Sequence, residues 1–335
     1  MVNIGGKGAN VVAGQAQSAD VSTVLDQLDI AAARVWAIRQ NHGPEGNANW
    51  HVWSQQTGQC VLRRYYTGAT PEDLAYEHAV LKHLRREGWS VPDALAAPIA
   101  YDGRWYCLTR YVPGRSRSTE TPSQQRQRGA DLARLHIALR SITDRLGQRS
   151  GWQAMLDDVP VMTPIDWHSG LAGLGSQCAE LAEWAALAAT SVANESAALG
   201  AADLPLTVIH GDFLAGENVH YEEARLAGVI DFGVSHLGTR PYDLVSARCY
   251  REPEVRAGYV EELNRQGWPL SDLEEAAILP IYRAFRLYMT AWQLDVGTRT
   301  GHFDAKLITA QLTQTGIDPS GKVHTPKGQF GPPQT

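Results

Sequence analysis

Between about Val21 and Tyr111 the apolar positions alternate in short runs, RVWAI, NWHVWS, QCVLRRYY, APIAYDG and RWYCLTRYV, which is the period-two pattern of strands. One segment among them, PEDLAYEHAVLKHLRREG, carries helical spacing instead, so a small antiparallel sheet with one helix is predicted. After Val112-Pro113-Gly114 the pattern changes to long helical stretches: QQRQRGADLARLHIALRSI, AELAEWAALAATSVANES and DLEEAAILPIYRAFRLYMTAWQLD. Two short strand-like runs, LTVIH and LAGVIDF, sit among these helices. The expected architecture is an α+β fold of two lobes, a small sheet lobe over 21–111 and a larger, mainly helical lobe over 112–320. The Gly-, Ala- and Ser-rich residues 1–20 and the Gly-, Pro- and Thr-rich residues 321–335 read as poorly ordered tails.

Composition narrows the function classes. With 44% hydrophobic and 20% charged residues in a chain of 335, there is ample apolar material for a packed core. A net charge of -6 gives no push toward nucleic acid or an anionic membrane as partner. The four cysteines stand without a CxxC pair, which argues against a zinc site or a disulfide framework and fits reduced thiols in the cytoplasm. Neither a signal peptide nor a run of transmembrane length is visible.

The candidate chemistry concentrates in VIHGDFLAGENVHYEEARLAGVIDFG, from Val208 to Gly233. Two apolar strand-like runs each end in a turn, and the turns carry His210, Asp212, Asn218 and Asp231. Rigid strands delivering polar side chains to a loop suit a site that ligands must reach. Phosphoryl transfer needs a carboxylate near the attacking hydroxyl and oxygen ligands that hold magnesium on a triphosphate. Asp212 suits the first role, with His210 beside it as a second catalytic candidate, and Asn218 with Asp231 suits the second. In the sheet lobe, alternation along QCVLRRYY puts Val61, Arg63 and Tyr65 on one face. In the helix after Pro71, Leu74, Glu77, Leu81 and Leu84 share the inward face, where a carboxylate needs a cationic partner.

HGD, followed shortly by Asn and then IDFG, resembles the catalytic and metal-binding loops of the aminoglycoside phosphotransferases and their kin, which include choline, homoserine, methylthioribose and fructosamine kinases. The resemblance implies a protein-kinase-like fold, ATP and Mg2+ as cofactors, a small-molecule hydroxyl as acceptor, Asp212 as catalytic carboxylate and Asp231 as principal metal ligand. Protein kinases have Arg where this chain has Gly211, which favours the small-molecule branch. The run from Asp212 to the asparagine is one residue longer than is usual in the family. Counting forward from Asp212 therefore reaches Glu217, whereas counting back from Asp231 reaches Asn218. Asn218 is the expected ligand, with the extra residue bulging at Ala215-Gly216, and Glu217 is the alternative.

The same resemblance pairs Glu77 with Arg63, an arginine where the fold normally has the lysine that holds nucleotide phosphates. It sets HGPEGNANWHV where the phosphate-covering hairpin lies, with Gly46, Asn47 and Asn49 as nucleotide contacts or simply as parts of a β-turn. It also makes WYCLTRYVPG, with Thr109 and Tyr111, the connector whose backbone pairs with adenine. A nucleotide would then lie in the cleft between the lobes. His136 of LARLHIAL reads as a core histidine, and Asp243 of GTRPYDL as a helix cap. For the acceptor pocket the helical regions offer Asp157, Asp158, Asp166, Trp167, Tyr250, Trp268, Tyr282 and Trp292. The sequence-level reading is a kinase acting on an aminoglycoside-like acceptor, with a metabolic kinase for an amino alcohol, homoserine or sugar and a nucleotide-binding pseudokinase as alternatives.

Overall fold

A computed structural model describes residues 19–37, 46–156 and 159–324. His42 and Gly43 of the hairpin segment, the acceptor candidates Asp157 and Asp158, and most of both expected tails lie outside the described residues. The chain divides into two compact units, Met1–Gly114 with Ala227–Ile230, and Arg115–Leu226 with Asp231–Thr335.

The first unit runs α1 (Ala19–Gln27), β1 (Ala32–Ala37), β2 (Ala48–Ser54), β3 (Gly58–Arg64), α2 (Pro71–Arg86), β4 (Ile99–Tyr101) and β5 (Arg104–Arg110). Its strands form one antiparallel sheet in the order β1-β2-β3-β5-β4. Alternation gives this sheet two different faces. On one, Val52, Cys60, Leu62, Tyr106 and Leu108 join Val21, Val24, Leu25 and Ile30 in a closed apolar cluster. Leu62 and Leu108 are fully enclosed there, each contributing about 2 kcal/mol by burial. The helix α1 that covers this face is a correction to the one-helix expectation, and it begins at Ala19, inside the segment expected to be a tail. Only three of its residues, Val21, Val24 and Leu25, carry its apolar contact, too few to mark a helix by periodicity.

The other face carries Arg63 and takes α2. Thr70 caps α2 reciprocally with Asp73, and Pro71 opens it with a preset φ. Leu74, Glu77, Leu81 and Leu84 are all buried, as their spacing predicts.

The second unit comprises α3 (Pro122–Arg140), α4 (Thr143–Leu146), β6 (Gln153–Leu156), β7 (Val159–Thr163), α5 (Trp167–Gly175), α6 (Ala179–Leu199), β8 (Leu206–Ile209), β9 (Val219–Glu222), β10 (Arg225–Val229, its end grouped with the first unit), β11 (His236–Thr239), α7 (Arg240–Ser246), α8 (Pro253–Arg265), α9 (Asp272–Thr300) and α10 (Ala305–Thr315). Helices α3 and α8 approach through Gly129 and Gly258, where an added Cβ would lie 1.9 Å from a facing carbonyl oxygen. The long α9 packs against α5, α6, α7 and α10 and is buried through most of its length. Among the described residues, no helix is long and apolar enough to cross a membrane.

Candidate active site

Strand β8 ends at Ile209, and the next three residues are His210, Gly211 and Asp212. Strand β11 pairs antiparallel with β8 and sets His236 opposite Ile209. The Asp231 turn, just ahead of β11, therefore emerges at the same end of this two-stranded sheet as the Asp212 loop. The Ser235 hydroxyl donates to the Ile209 carbonyl at 2.6 Å. Buried Arg149 donates from Nη1 to the carbonyls of Gly233 and Ser235, at 2.8 and 2.9 Å. Gly211 has φ +86°, and a Cβ there would meet the Val234 carbonyl at 2.7 Å, so this close approach requires glycine.

The main tie is Asp243 on α7. Its Oδ2 accepts from the His210 amide at 2.7 Å and from His136 Nε2 at 2.9 Å, and its Oδ1 accepts from the Gly211 amide at 2.7 Å. Burial alone would raise its pKa, but the hydrogen bond and charge of His136, the charge of His210 and the His210 amide outweigh that and hold the carboxyl below its ordinary value. The expected helix-cap role belongs to Thr239, whose hydroxyl accepts from the Tyr242 amide. Asp243 instead fixes the backbone of the Asp212 loop from beneath. His136 is wholly buried, with Tyr259 on its Nδ1 at 2.6 Å, so it serves as the core histidine that orients Asp243.

His210 is 0% exposed, and its Nδ1 accepts the Asp212 amide at 3.1 Å. Its ring lies against Phe213 and Phe232. Expected to be catalytic alongside Asp212, it shapes the loop from this position through the Asp212 amide. Asn218 Nδ2 donates to both the carbonyl and the Oδ2 of Asp212, each at 2.8 Å. Leu214 O accepts from the Glu217 and Asn218 amides, so the extra residue is taken up in one helical turn. Gly216 is not at positive φ, which removes the expected glycine bulge. Asn218 is 5% exposed and aimed at Asp212, whereas Glu217 is exposed.

Burial, the charges of Asp231, Glu217 and Asp243, and only one opposing hydrogen bond from Asn218 push the Asp212 carboxyl up to about 7. Asp231 stands close by in a left-handed conformation, φ 64° and ψ 62°. A carboxylate pushed up by its carboxylate neighbours in this way is relieved by a divalent cation. The chemistry of the donors fits one: with its Nδ2 committed to Asp212, Asn218 has its Oδ1 left as a hard oxygen donor, the same kind that the Asp231 carboxylate carries.

In the first unit Arg63 Nη1 lies 3.5 Å from Glu77 Oε1, with the two side chains 13% and 5% exposed. Asn49 and Cys107 flank Arg63 across the sheet, and Trp36, His51, Val61 and Thr109 form the neighbouring cross-strand row on the same face. His51 stacks on Trp36 at 5.3 Å and meets the Tyr111 ring at 5.3 Å. The Tyr111 amide donates to Gln59 O at 3.2 Å. That amide is therefore engaged within the sheet, which corrects the expectation of an exposed group for adenine. Asn47 Oδ1 accepts the Tyr66 amide at 2.9 Å, tying it to the end of β3, and Gly46 lies in the bend before β2.

The model of the phosphotransferase enzyme family (APH) matches residues 37–278, which contain both loops, Arg63 and Glu77. The chain belongs to the phosphotransferase enzyme family. It is a small-molecule kinase that transfers a phosphoryl group to a hydroxyl, on a protein-kinase-like α+β fold. A homoserine kinase of Zymomonas mobilis is 28% identical over 303 residues, covering 82% of this chain and 86% of that protein. A homoserine kinase of Gluconobacter oxydans is 30% identical over 253 residues, covering 71% and 76%. Among solved structures, the amicoumacin kinase hAmiN in complex with AMP-PNP, Ca2+ and Ami aligns with a TM-score of 0.61 at 15% identity, over 88% of this chain and 92% of that one.

Within the family frame, most of the aromatic acceptor candidates turn out to be packing residues. Trp268 takes the guanidinium groups of Arg140 and Arg240 on its ring, and Tyr250 and Tyr282 pack around Arg286. Trp167 is buried, and Asp166 caps α5. Trp292 alone of that set joins the aromatic group around Tyr242, the neighbour of Asp243. Asp243 and Arg149 escaped the sequence reading in these roles, because their partners lie far away in the chain. The signal available for Asp243 was its short distance after IDFG.

Proposed function

We propose that this kinase uses ATP and Mg2+ to phosphorylate the side-chain hydroxyl of a small hydroxy amino acid, with L-homoserine as the first acceptor to test. The observation that carries the reaction is the Asn218 carboxamide clamped to Asp212 on a loop whose backbone Asp243 holds. For the acceptor, the homoserine kinases of Zymomonas mobilis and Gluconobacter oxydans support this choice over an aminoglycoside. A supply of ATP sets the cytoplasm as the compartment.

In this reading Asp212 accepts the proton of the acceptor hydroxyl as its oxygen attacks, and Asn218 keeps that carboxylate in one rotamer. Asp231 and the Asn218 Oδ1 would hold Mg2+, which when bound would supply positive charge to the donor phosphates. Arg63, held by Glu77, binds the donor phosphates through its planar fork. The row of Trp36, His51 and Val61, with the Tyr111 ring, offers the base an apolar face, and Thr109, Asn49, Asn47 and Gly46 lie around it.

The test is phosphate transfer from ATP to L-homoserine beside a panel of aminoglycosides and amino alcohols. Turnover on homoserine is expected, and turnover confined to an aminoglycoside, or ATP binding with no transfer at all, would overturn the reading. The register of the loop gives a further expectation. Asn218→Ala should raise the magnesium requirement and lower turnover about 100-fold, because it removes both a ligand and the clamp on Asp212. Glu217→Gln should stay near native, and the reverse ranking would show that Glu217 is the ligand.

A further inference from the structure

The carbonyls of Gly233, Val234 and Ser235, which follow Asp231 in the chain, are each taken by a buried side chain. Arg149 Nη1 donates to the first and third at 2.8 and 2.9 Å, and His236 Nδ1 donates to the second at 2.7 Å. Arg149 is 2% and His236 1% exposed. The Trp152 indole stacks on the His236 imidazole with centroids 4.7 Å apart and planes at 25°, and the Arg149 guanidinium lies over the same indole at 5.1 Å. Arg149 and Trp152 belong to one tight turn between α4 and β6. The Trp152 amide donates to the Arg149 carbonyl at 3.2 Å, and Gly151, third of the four residues, takes φ +75°, a value glycine adopts freely.

This turn braces a strained stretch of backbone. Asp231, two residues ahead of Gly233, sits at φ 64° and ψ 62°, a left-handed conformation that a side chain disfavours. Such a residue persists only where its surroundings over-determine it. The single 3-10 turn that follows, Phe232–Val234, is closed by the Ser235 amide on the Phe232 carbonyl, and one bond of this kind is weak support. Arg149 holds the chain on both sides of Val234, so the exit from Asp231 has one path to follow.

We infer that Arg149 is a positioning residue for the metal loop: by holding the Gly233 and Ser235 carbonyls it keeps the Asp231 backbone left-handed, and it thereby sets the affinity of the site for Mg2+. The inference rests on the reading of Asp231 as a magnesium ligand given above. Arg149 acts on that ligand through the backbone alone. Groups that orient a metal ligand from behind carry about 10- to 100-fold of metal affinity.

The test is the magnesium dependence of AMP-PNP binding, followed by titration calorimetry in the absence of turnover. Arg149→Met keeps the side-chain stem and removes both bonds, and it is expected to raise the magnesium concentration for half-maximal binding at least about tenfold. Affinity for AMP-PNP in metal-free buffer should stay native. Arg149→Lys, which can still donate to a carbonyl, should restore part of the shift, and turnover of both variants should climb back toward the native rate as magnesium is raised. An unchanged magnesium midpoint, or equal weakening of AMP-PNP binding with and without metal, overturns the inference while leaving the kinase activity standing. A native enzyme whose AMP-PNP binding ignores magnesium overturns the metal assignment and this inference with it. Should Arg149→Met fail to fold, Trp152→Leu withdraws the ring beneath the guanidinium and leaves Arg149 in the chain. It should shift the magnesium midpoint in the same direction, and an unchanged midpoint would overturn the inference.

Discussion

Asp212→Asn should lower turnover by about 100- to 10,000-fold, the usual contribution of a positioned general base, while leaving the protein folded. The substitution preserves shape, and an asparagine at 212 can still turn an oxygen to the Asn218 Nδ2. The variant should also be the more stable protein at alkaline pH, when metal and nucleotide are absent. Burial and the charges of Asp231, Glu217 and Asp243 raise the Asp212 carboxyl to about 7 in the folded state. In the unfolded chain it returns to the ordinary aspartate value of about 4. The native state thus holds the proton that the unfolded chain releases, and native stability falls as pH rises from about 4 to 7. Asparagine does not titrate, so the variant escapes this loss. Melting temperatures of the two proteins should converge near pH 4 and separate above pH 7 with the variant higher. Near-native turnover would remove Asp212 from the mechanism, and a lower variant melting temperature at pH 8 would contradict the charge repulsion.

Asp243→Asn should be damaging in a different way, losing activity and stability together. Both carboxylate oxygens accept from backbone amides, and one accepts His136 as well. An asparagine must point its NH2 group at one of these donors, leaving buried donors facing each other. Removing one partner from a buried charged network costs about 3–5 kcal/mol. Thermal unfolding and initial rates measured on the same sample should both fall. A variant that keeps its melting temperature while losing only activity would show Asp243 acting directly on the reaction.

The contrast between these residues indicates how far the sequence could be read. Local spacing is enough to place Glu77 on the buried face of α2, Arg63 on the face that meets it, and the Asp212 and Asp231 turns at the ends of apolar runs. Distance to Asp231 singles out Asn218 as the residue to examine, and the structure sets it against Asp212, with a helical turn rather than a glycine bulge absorbing the extra residue. The roles of Asp243 and Arg149 depend on pairings across dozens of residues, which no periodicity encodes. His210 shows the converse limit, since a histidine in a catalytic motif looks the same whether it faces solvent or the core. Among the aromatic candidates, a ring on an amphipathic helix is expected for packing alone, and cation–π contacts with arginines account for Trp268, Tyr250 and Tyr282.

The Asp243 anchor also bears on how this enzyme fails. Active-site loops commonly open at little cost, as separate low-stability segments. Here the amides of His210 and Gly211 end on a carboxylate that α7 supplies and that His136 of α3 secures, so the loop cannot fray without disturbing the helical core. Inactivation and global unfolding become a single cooperative event, and mild denaturant should leave no folded but catalytically slack population.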